Sequence, residues 1–156
     1  PMYLSPVGSD GGIPGLVSPV GETVQIIEQS EDFVHSFWVP EFLFKRDVIP
    51  YGTAQQQATS KLADNRFEFT ATSQGSYVGR CAELCGTYHS QMNFEVRVVA
   101  QQQFQTYLSD LAKIGPNDPA RQSKALAQAG MTPFATTTHP FDTNRSARAA
   151  SQRDGG

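Results

Sequence analysis

Short segments of alternating apolar and polar residues dominate the first hundred positions of this chain. Residues 22–29 and 66–71 combine this period of two with β-branched or aromatic side chains, and residues 33–39 are rich in aromatic and β-branched side chains. Both features favour β-strands. The second strand should end at Pro40, because proline has no N–H group to donate to a neighbouring strand.

The clearest strand is predicted at Asn93–Val99, where every second residue is apolar. An antiparallel strand with one face on the core and one face in solvent has this period. The core face would carry Phe94, Val96 and Val98, and the solvent face Asn93, Glu95 and Arg97. Several short strands separated by loops with Gly and Pro indicate an all-β sandwich or barrel.

After residue 100 the apolar period becomes that of a helix. One helical face would carry Phe104, Tyr107, Leu108 and Leu111. Gly115 and Pro116 should end this helix, and a second, alanine-rich helix is predicted at 119–129 with Gly130 as its C-terminal cap. The predicted regions are an N-terminal loop at 1–21, a β-domain at 22–100, a helical extension at 101–130 and an extended or disordered polar tail at 131–156.

Charge and hydropathy exclude some classes of partner and some kinds of segment. The formal net charge of -3 and the sequence pI near 5.5 argue against a nucleic-acid partner. No segment has the roughly 20 consecutive apolar residues of a membrane-spanning helix. Because the chain begins with Pro1 instead of Met, we expect a processed product or a fragment, and any membrane anchor would lie upstream.

The run most informative about chemistry holds both cysteines, Cys81 and Cys85, followed by His89 and Met92 in the pattern C-x3-C-x3-H-x2-M. Taken alone, two close cysteines fit a disulfide of an exported domain as well as a pair of metal thiolates. Thiolate, imidazole and thioether are soft to intermediate ligands, which favour copper over magnesium, calcium or manganese. Zinc sites use Cys, His and carboxylates, so the methionine favours copper over zinc too.

Two cysteines exceed the pattern of a mononuclear blue-copper site, which has one Cys, two His and a weak axial Met. If both thiolates bridge two copper ions, each ion needs an imidazole, and the run supplies only His89. His35, on a predicted strand among aromatics, is favoured over His139 in the polar tail as the second histidine. Without the cysteine run, His35 would be interpreted as a core histidine bonded to a backbone carbonyl.

Residues 32–40 (DFVHSFWVP) and 79–94 (GRCAELCGTYHSQMNF) resemble the copper A domain of cytochrome c oxidase subunit II, and the resemblance extends over about residues 20–100. Residues 42–47 (FLFKRD) and the C-terminal extension with 136–141 (TTTHPF) are similar to actinobacterial members. The resemblance implies a cupredoxin-like Greek-key β-sandwich or barrel, followed by a C-terminal helical extension and a polar tail.

The same resemblance implies a dinuclear copper A centre formed by His35, Cys81, Glu83, Cys85, His89 and Met92. Both cysteines would bridge the two ions, and each ion would carry one histidine. Met92 would be a weak axial ligand of the copper bound by His35, and the main-chain carbonyl of Glu83 would serve the copper bound by His89. The Glu83 side chain would reach a magnesium ion at the junction with subunit I.

The family's function is electron transfer within an oxidoreductase that also translocates protons. The resemblance implies that electrons arrive from a c-type cytochrome, held in a supercomplex in actinobacterial members, and leave for haem a of subunit I, where oxygen is reduced. It implies a membrane complex on the outer, extracytoplasmic face of the cell membrane. Glu31 and Asp32, beside the metal strand, are predicted to dock a cationic cytochrome surface. Trp38 is predicted to be a core aromatic instead of an entry point for electrons.

Three other interpretations remain open. Nitrous-oxide reductase has a similar copper A domain, but its propeller domain and the aromatic insertions of its cysteine run are missing here. A mononuclear cupredoxin would not need the second cysteine. A disulfide-bonded β-sandwich without metal would leave the placement of His35 and Met92 unexplained. The copper content of the pure protein separates these interpretations.

Overall fold

The computed structural model describes residues 15–52, Gln56 and residues 65–137, and in this part of the chain seven β-strands are followed by two α-helices. The strands are β1 (Gly15–Pro19), β2 (Thr23–Ile27), β3 (His35–Val39), β4 (Phe44–Val48), β5 (Arg66–Thr70), β6 (Gly75–Cys81) and β7 (Asn93–Val99). The α-helices are α1 (Gln101–Lys113) and α2 (Arg121–Gln128). Short 3-10 turns occupy Pro40–Phe42 and His89–Gln91.

Five of these strands form one sheet in the order β1-β7-β6-β3-β4, and β2 pairs with β5 in a second sheet. The pairings are antiparallel except for β1 with β7, which is parallel. Aromatic side chains of both sheets form the core, where the ring centroid of Phe37 lies 5.1 Å from that of Phe67 and 4.9 Å from that of Phe94. The predicted all-β domain with helices after it is confirmed.

The predicted N-terminal loop is wrong for Gly15–Pro19, which forms β1 beside β7. Leu16 packs in the aromatic core and Val17 packs against the helices, and both are buried, with 4% and 1% of their surface exposed. A strand that is covered on both faces lacks the alternation that identifies a half-buried strand. The surrounding glycines and prolines therefore suggested a loop.

Two further strands had no clear signal in the sequence. The edge strand β4 has the sequence FKRDV, and charged side chains are typical of edges because they oppose pairing with other chains. β6 contains Gly79, where an added Cβ would lie 2.1 Å from the ring of Phe94. Glycine is therefore required there, since it lets the ring pack against the backbone two residues before Cys81.

Strand β7 has the predicted bounds, but it is not half-exposed. Val96 and Val98 face the core as expected, whereas Glu95 and Arg97 on the other face are buried too, Glu95 to 1% exposure. The two charged side chains form an ion pair. A buried ion pair needs further hydrogen-bond partners to offset the loss of hydration.

Residues 132–137 supply those partners. The backbone N–H groups of Thr136 and Thr137 donate to Glu95 Oε2 at 2.7 and 2.8 Å, and Arg97 donates to two main-chain carbonyls of the same segment. The tail was predicted to be extended or disordered because it has little apolar content; in residues 132–137, hydrogen bonds and not apolar burial hold the chain in place. The rest of the predicted tail lies outside the described residues.

Replacing Glu95 by Gln should lower the free energy of unfolding by about 3–5 kcal/mol at neutral pH, because Arg97 then stays buried without its counter-charge. Burial opposes ionisation of Glu95, but hydrogen bonds with Thr137 and Arg97 outweigh it and hold the pKa of Glu95 below its ordinary value of 4.5. The contribution is therefore present above about pH 4.5 and is lost as the pH falls through the folded-state pKa. Urea unfolding at neutral and acid pH measures both effects.

The exposed ion pair of Lys124 with Asp118 provides the matched control. Its nitrogen and oxygen atoms lie 2.6 Å apart, yet Lys124→Gln should change the free energy of unfolding by less than about 1 kcal/mol, because exposed pairs contribute little. Equal losses in Glu95→Gln and Lys124→Gln would contradict the role assigned to the buried pair.

The two helices confirm the predicted change of period after residue 100. Tyr107 of α1 and Leu126 of α2 pack with Val17 and Val99, on the face of the sheet opposite the aromatic core. Gly130 follows α2 with a φ of 72°, the left-handed conformation expected of a C-terminal cap. Neither helix has the length and the apolar run needed to span a membrane, and the other described residues contain no helix that does.

Candidate metal centre

Five predicted ligand side chains meet at one end of the large sheet. His35 is the first residue of β3 and Cys81 the last of β6; Cys85 lies in the following loop, His89 begins a 3-10 turn, and Met92 immediately precedes β7. The site therefore combines two strand ends with one loop. The structure brings all five of these sequence-predicted residues together.

Strand pairing explains why residues 46 positions apart become neighbours. β3 is antiparallel to β6, with Phe37 opposite Cys81, so the start of β3 lies beside the end of β6. Because side chains alternate along a strand, His35 points to the same face as Phe37. This places His35 over the loop that follows Cys81.

Backbone hydrogen bonds close that loop. The N–H group of Cys81 donates to the carbonyl of Met92 at 2.9 Å, which ties together the two ends of the loop. Inside it, the N–H group of His89 donates to the carbonyl of Gly86 at 3.0 Å. Gly86 has a φ of 127°, a conformation that L side chains rarely adopt, so this turn requires glycine.

The distances between ligand atoms exclude a disulfide in this structure and leave room for metal ions. The sulfurs of Cys81 and Cys85 are 3.7 Å apart, against about 2.05 Å in a disulfide. Cys81 Sγ lies 3.9 Å from His35 Nδ1, and Cys85 Sγ lies 3.6 Å from His89 Nδ1 and 3.1 Å from Met92 Sδ. An ion bound about 2.3 Å from sulfur and about 2.0 Å from nitrogen fits between such atoms.

A possible main-chain ligand lies at the same place. The carbonyl oxygen of Glu83 is 3.3 Å from Cys81 Sγ, and the thiol donates to it. The ligand atoms of His35, Cys81 and Cys85 all lie within 4.8 Å of one another. His89 adjoins this group through Cys85. The donor set is therefore two sulfurs flanked by imidazole nitrogens, with the thioether and the carbonyl beside them.

The two thiols differ in acidity because of their surroundings. Burial opposes ionisation of Cys81, but hydrogen bonds with the backbone of Glu83 and Ser36 and with His35 outweigh it and lower the pKa of Cys81 to about 7. Burial and the hydrogen bond with Cys81 raise the pKa of Cys85 to about 11. The two cysteines together therefore lose one proton near neutral pH and share the remaining one. The pair thus carries one negative charge at neutral pH.

Asp32 is in contact with a predicted ligand, which the sequence did not reveal. Its Oδ1 atom lies 2.9 Å from His35 Nε2, the imidazole nitrogen that does not face Cys81. This hydrogen bond holds the pKa of Asp32 below its ordinary value. Burial lowers the pKa of His35, but hydrogen bonds with Asp32 and Cys81 outweigh it, so the net shift is upward. The only hint of this contact in the sequence is that Asp32 lies three residues before His35.

The prediction that Trp38 is a core aromatic is wrong. Trp38 leaves 37% of its surface exposed and lies on the face opposite Phe37, because neighbouring residues of a strand point to opposite faces. Its partners in the sheet are Arg80 and Lys45. The rejected candidate His139 lies outside the described residues.

Comparison with known proteins assigns the β-domain to a family. The family model described as cytochrome c oxidase subunit II, periplasmic domain, matches residues 13–99. The probable cytochrome c oxidase subunit 2 of Nocardia farcinica is 45% identical over 145 residues, which cover 92% of this chain and 36% of the relative. The same-named protein of Mycobacterium leprae is 46% identical over 146 residues, covering 94% and 38%. The chain thus spans little more than a third of these relatives.

A solved structure agrees with the architecture. The periplasmic domain of subunit II of cytochrome oxidase (CoxB) of Bradyrhizobium japonicum superposes with a TM-score of 0.53 and 30% sequence identity, over 63% of each chain. The predicted cupredoxin-like fold and the predicted similarity to actinobacterial proteins are both confirmed. The family model covers more than half of the chain, and so the chain belongs to the family of cytochrome c oxidase subunit II periplasmic domains.

Proposed function

We propose that this chain is the electron-transfer domain of a cytochrome c oxidase. It would accept electrons from a c-type cytochrome and pass them to haem a of subunit I, where oxygen is reduced. The proposed ligands of a dinuclear copper A centre are His35, Cys81, Cys85, His89 and Met92, with the carbonyl of Glu83.

One observation supports this proposal above the others: two unbonded thiols lie between two imidazole nitrogens, with a thioether beside them. These are soft and intermediate ligands of the kind that select copper. A dinuclear centre of this type supplies one-electron chemistry with its charge spread over two ions. Since the protein would fill the ligand positions, no position stays open for a substrate, which suits electron transfer.

Copper addition to the purified chain tests the proposal. We expect about two copper ions per chain and a mixed-valence electron paramagnetic resonance spectrum, because two thiolates and two imidazoles complete two roughly trigonal sets. One copper with a blue-copper spectrum would contradict the dinuclear site. A chain that binds no copper and forms an intramolecular disulfide would favour the disulfide-bonded sandwich.

The proposed division of ligands assigns Met92 to the ion bound by His35, and the Glu83 carbonyl to the ion bound by His89. In the structure, Met92 Sδ adjoins Cys85 and the Glu83 oxygen adjoins Cys81. Both contacts are compatible with this division, because each bridging sulfur would belong to both ions. The Glu83 carboxylate stays available, and we propose that it binds magnesium at the junction with subunit I, since carboxylate oxygens suit that hard ion.

Exposed apolar side chains near the ligands support a docking role for this end of the domain. Phe33, Leu84 and Tyr88, which flank the ligands in sequence, are all exposed. Exposed groups of this kind often mark interaction surfaces. We propose that oxidase subunit I and the cytochrome approach this end of the sheet, on the extracytoplasmic side of the membrane. The anchor of the membrane complex would belong to the longer protein.

Glu31→Gln should reduce the second-order rate constant for electron transfer from a cationic c-type cytochrome, by roughly twofold at low ionic strength. The reason is that removing an acidic side chain beside the site weakens the steering of a cationic partner, and salt should reduce the difference. Stopped-flow kinetics over a range of salt concentrations measures it.

Glu22→Gln is the matched control for Glu31→Gln. Glu22 follows β1, whose last residue, Pro19, pairs with Val99 at the end of β7 away from the metal loop. The two variants have the same net charge but different positions. Equal effects of Glu22→Gln and Glu31→Gln would show that only net charge matters, and would contradict docking at Glu31.

A further inference from the structure

The Asp32 carboxylate and the Cys81 thiol contact different nitrogens of the His35 imidazole ring. Asp32 Oδ1 is 2.9 Å from His35 Nε2, while His35 Nδ1 is 3.9 Å from Cys81 Sγ. The His35 side chain is mostly buried, with 19% exposed, whereas 61% of the Asp32 side chain is exposed. The Asp32 carboxylate therefore lies between the His35 ring and the solvent.

A buried hydroxyl supports this carboxylate. Ser30 leaves only 4% of its surface exposed, and its Oγ lies 3.2 Å from Asp32 Oδ1. The same hydroxyl contacts the backbone carbonyl of Phe33. Since a hydroxyl has one proton, Ser30 shares it between the Asp32 carboxylate and the Phe33 carbonyl, and the stronger contact of this carboxylate oxygen is the one with His35.

We propose that Asp32 is a positioning residue for His35: it accepts the Nε2 proton and so leaves the Nδ1 lone pair directed at the metal position beside Cys81. A neutral imidazole carries its proton on one nitrogen, and only the other nitrogen can bind a metal. A carboxylate bonded to the distal nitrogen selects the tautomer, fixes the ring plane and makes the imidazole a stronger donor. This inference rests on the proposed copper function.

The alternative role of Asp32 is docking of a cytochrome, as the sequence suggested. Glu31 separates the two roles, because it is the adjacent residue, carries the same charge and is exposed. A docking role requires only negative charge near the site, so Glu31 and Asp32 should then behave alike. A positioning role requires the contact with His35 and should be specific to Asp32.

The first experiment detects the hydrogen bond between Asp32 and His35 in the copper-free chain. Long-range proton–nitrogen NMR under alkaline conditions, where the imidazole is neutral, assigns the protonated nitrogen of His35. We expect one tautomer with the proton on Nε2 in the wild type and in Glu31→Ala, and a mixture in Asp32→Ala. An unchanged tautomer in Asp32→Ala overturns the proposal. Asp32→Asn, whose amide oxygen can still accept the proton, should keep the wild-type tautomer.

The second experiment uses copper itself as the probe. Competition with a chelator should show copper affinity about tenfold or more weaker in Asp32→Ala, and within about twofold of the wild type in Glu31→Ala. The reduction potential should rise in Asp32→Ala and Asp32→Asn, because both lose the anion that stabilises the oxidised centre. Equal affinities and potentials in Asp32→Ala and Glu31→Ala would overturn the proposal. A wild-type chain without copper affinity would count against the proposed function, while the NMR result still decides the hydrogen bond.

Discussion

Replacement of either cysteine by serine is expected to abolish the mixed-valence spectrum of the proposed copper centre and to lower the copper content from about two ions per chain to one or none. Cys81 and Cys85 are expected to serve both ions, since their sulfurs lie 3.7 Å apart between the two histidine nitrogens. A serine hydroxyl is a harder ligand that stays protonated near neutral pH, so it cannot replace a bridging thiolate. Metal analysis with optical and paramagnetic spectra of Cys81→Ser and Cys85→Ser measures the loss.

Ser90→Ala is the control for the serine variants, because Ser90 lies in the same loop and its side chain is exposed. It should retain copper content and spectrum. Circular dichroism of the copper-free variants shows whether the fold survives, since the core does not depend on the thiols. A wild-type spectrum in either Cys81→Ser or Cys85→Ser would contradict the bridging role.

The cluster of candidate ligands was predictable because most of its residues are close together in the sequence. Cys81, Cys85, His89 and Met92 fall within twelve residues, so their types and spacing alone favour copper. His35 is different, since it reaches the site only through the pairing of β3 with β6. Periodicity showed that His35 lies on a strand, but not which strand is its neighbour; exclusion of His139 and the family resemblance supplied the rest.

Apart from Trp38, the predictions that failed concern polar groups and strands that are buried on both faces. Glu95 and Arg97 look like the solvent face of a strand, and only the return of residues 132–137 over that face makes them a buried pair. Such a contact between distant parts of the chain leaves no local pattern. The contact of Asp32 with His35 is local in the sequence. From the sequence alone, however, acidic residues beside a strand that carries a candidate ligand suggest docking equally well, and only the structure reveals the 2.9 Å hydrogen bond.

The loss of an imidazole and the loss of the thioether should have different results. His35→Ala removes one of the two proposed nitrogen donors, and we expect it to lose copper or to yield an altered spectrum with fewer than two ions per chain. In the proposed centre Met92 would be a weak axial donor, so Met92→Leu should keep both ions. Its reduction potential should rise, since an apolar side chain in place of the thioether favours the less charged, reduced state.

Two controls make this contrast decisive. Met131→Leu changes a methionine that packs against the helices, and it should alter neither copper content nor potential. His139→Ala tests the other candidate histidine of the sequence, and it should behave as the wild type. Voltammetry and metal analysis of the four variants give the comparison. Equal loss of copper in His35→Ala and Met92→Leu would show that Met92, which lies 3.1 Å from Cys85 Sγ, is a structural ligand and not a weak axial one.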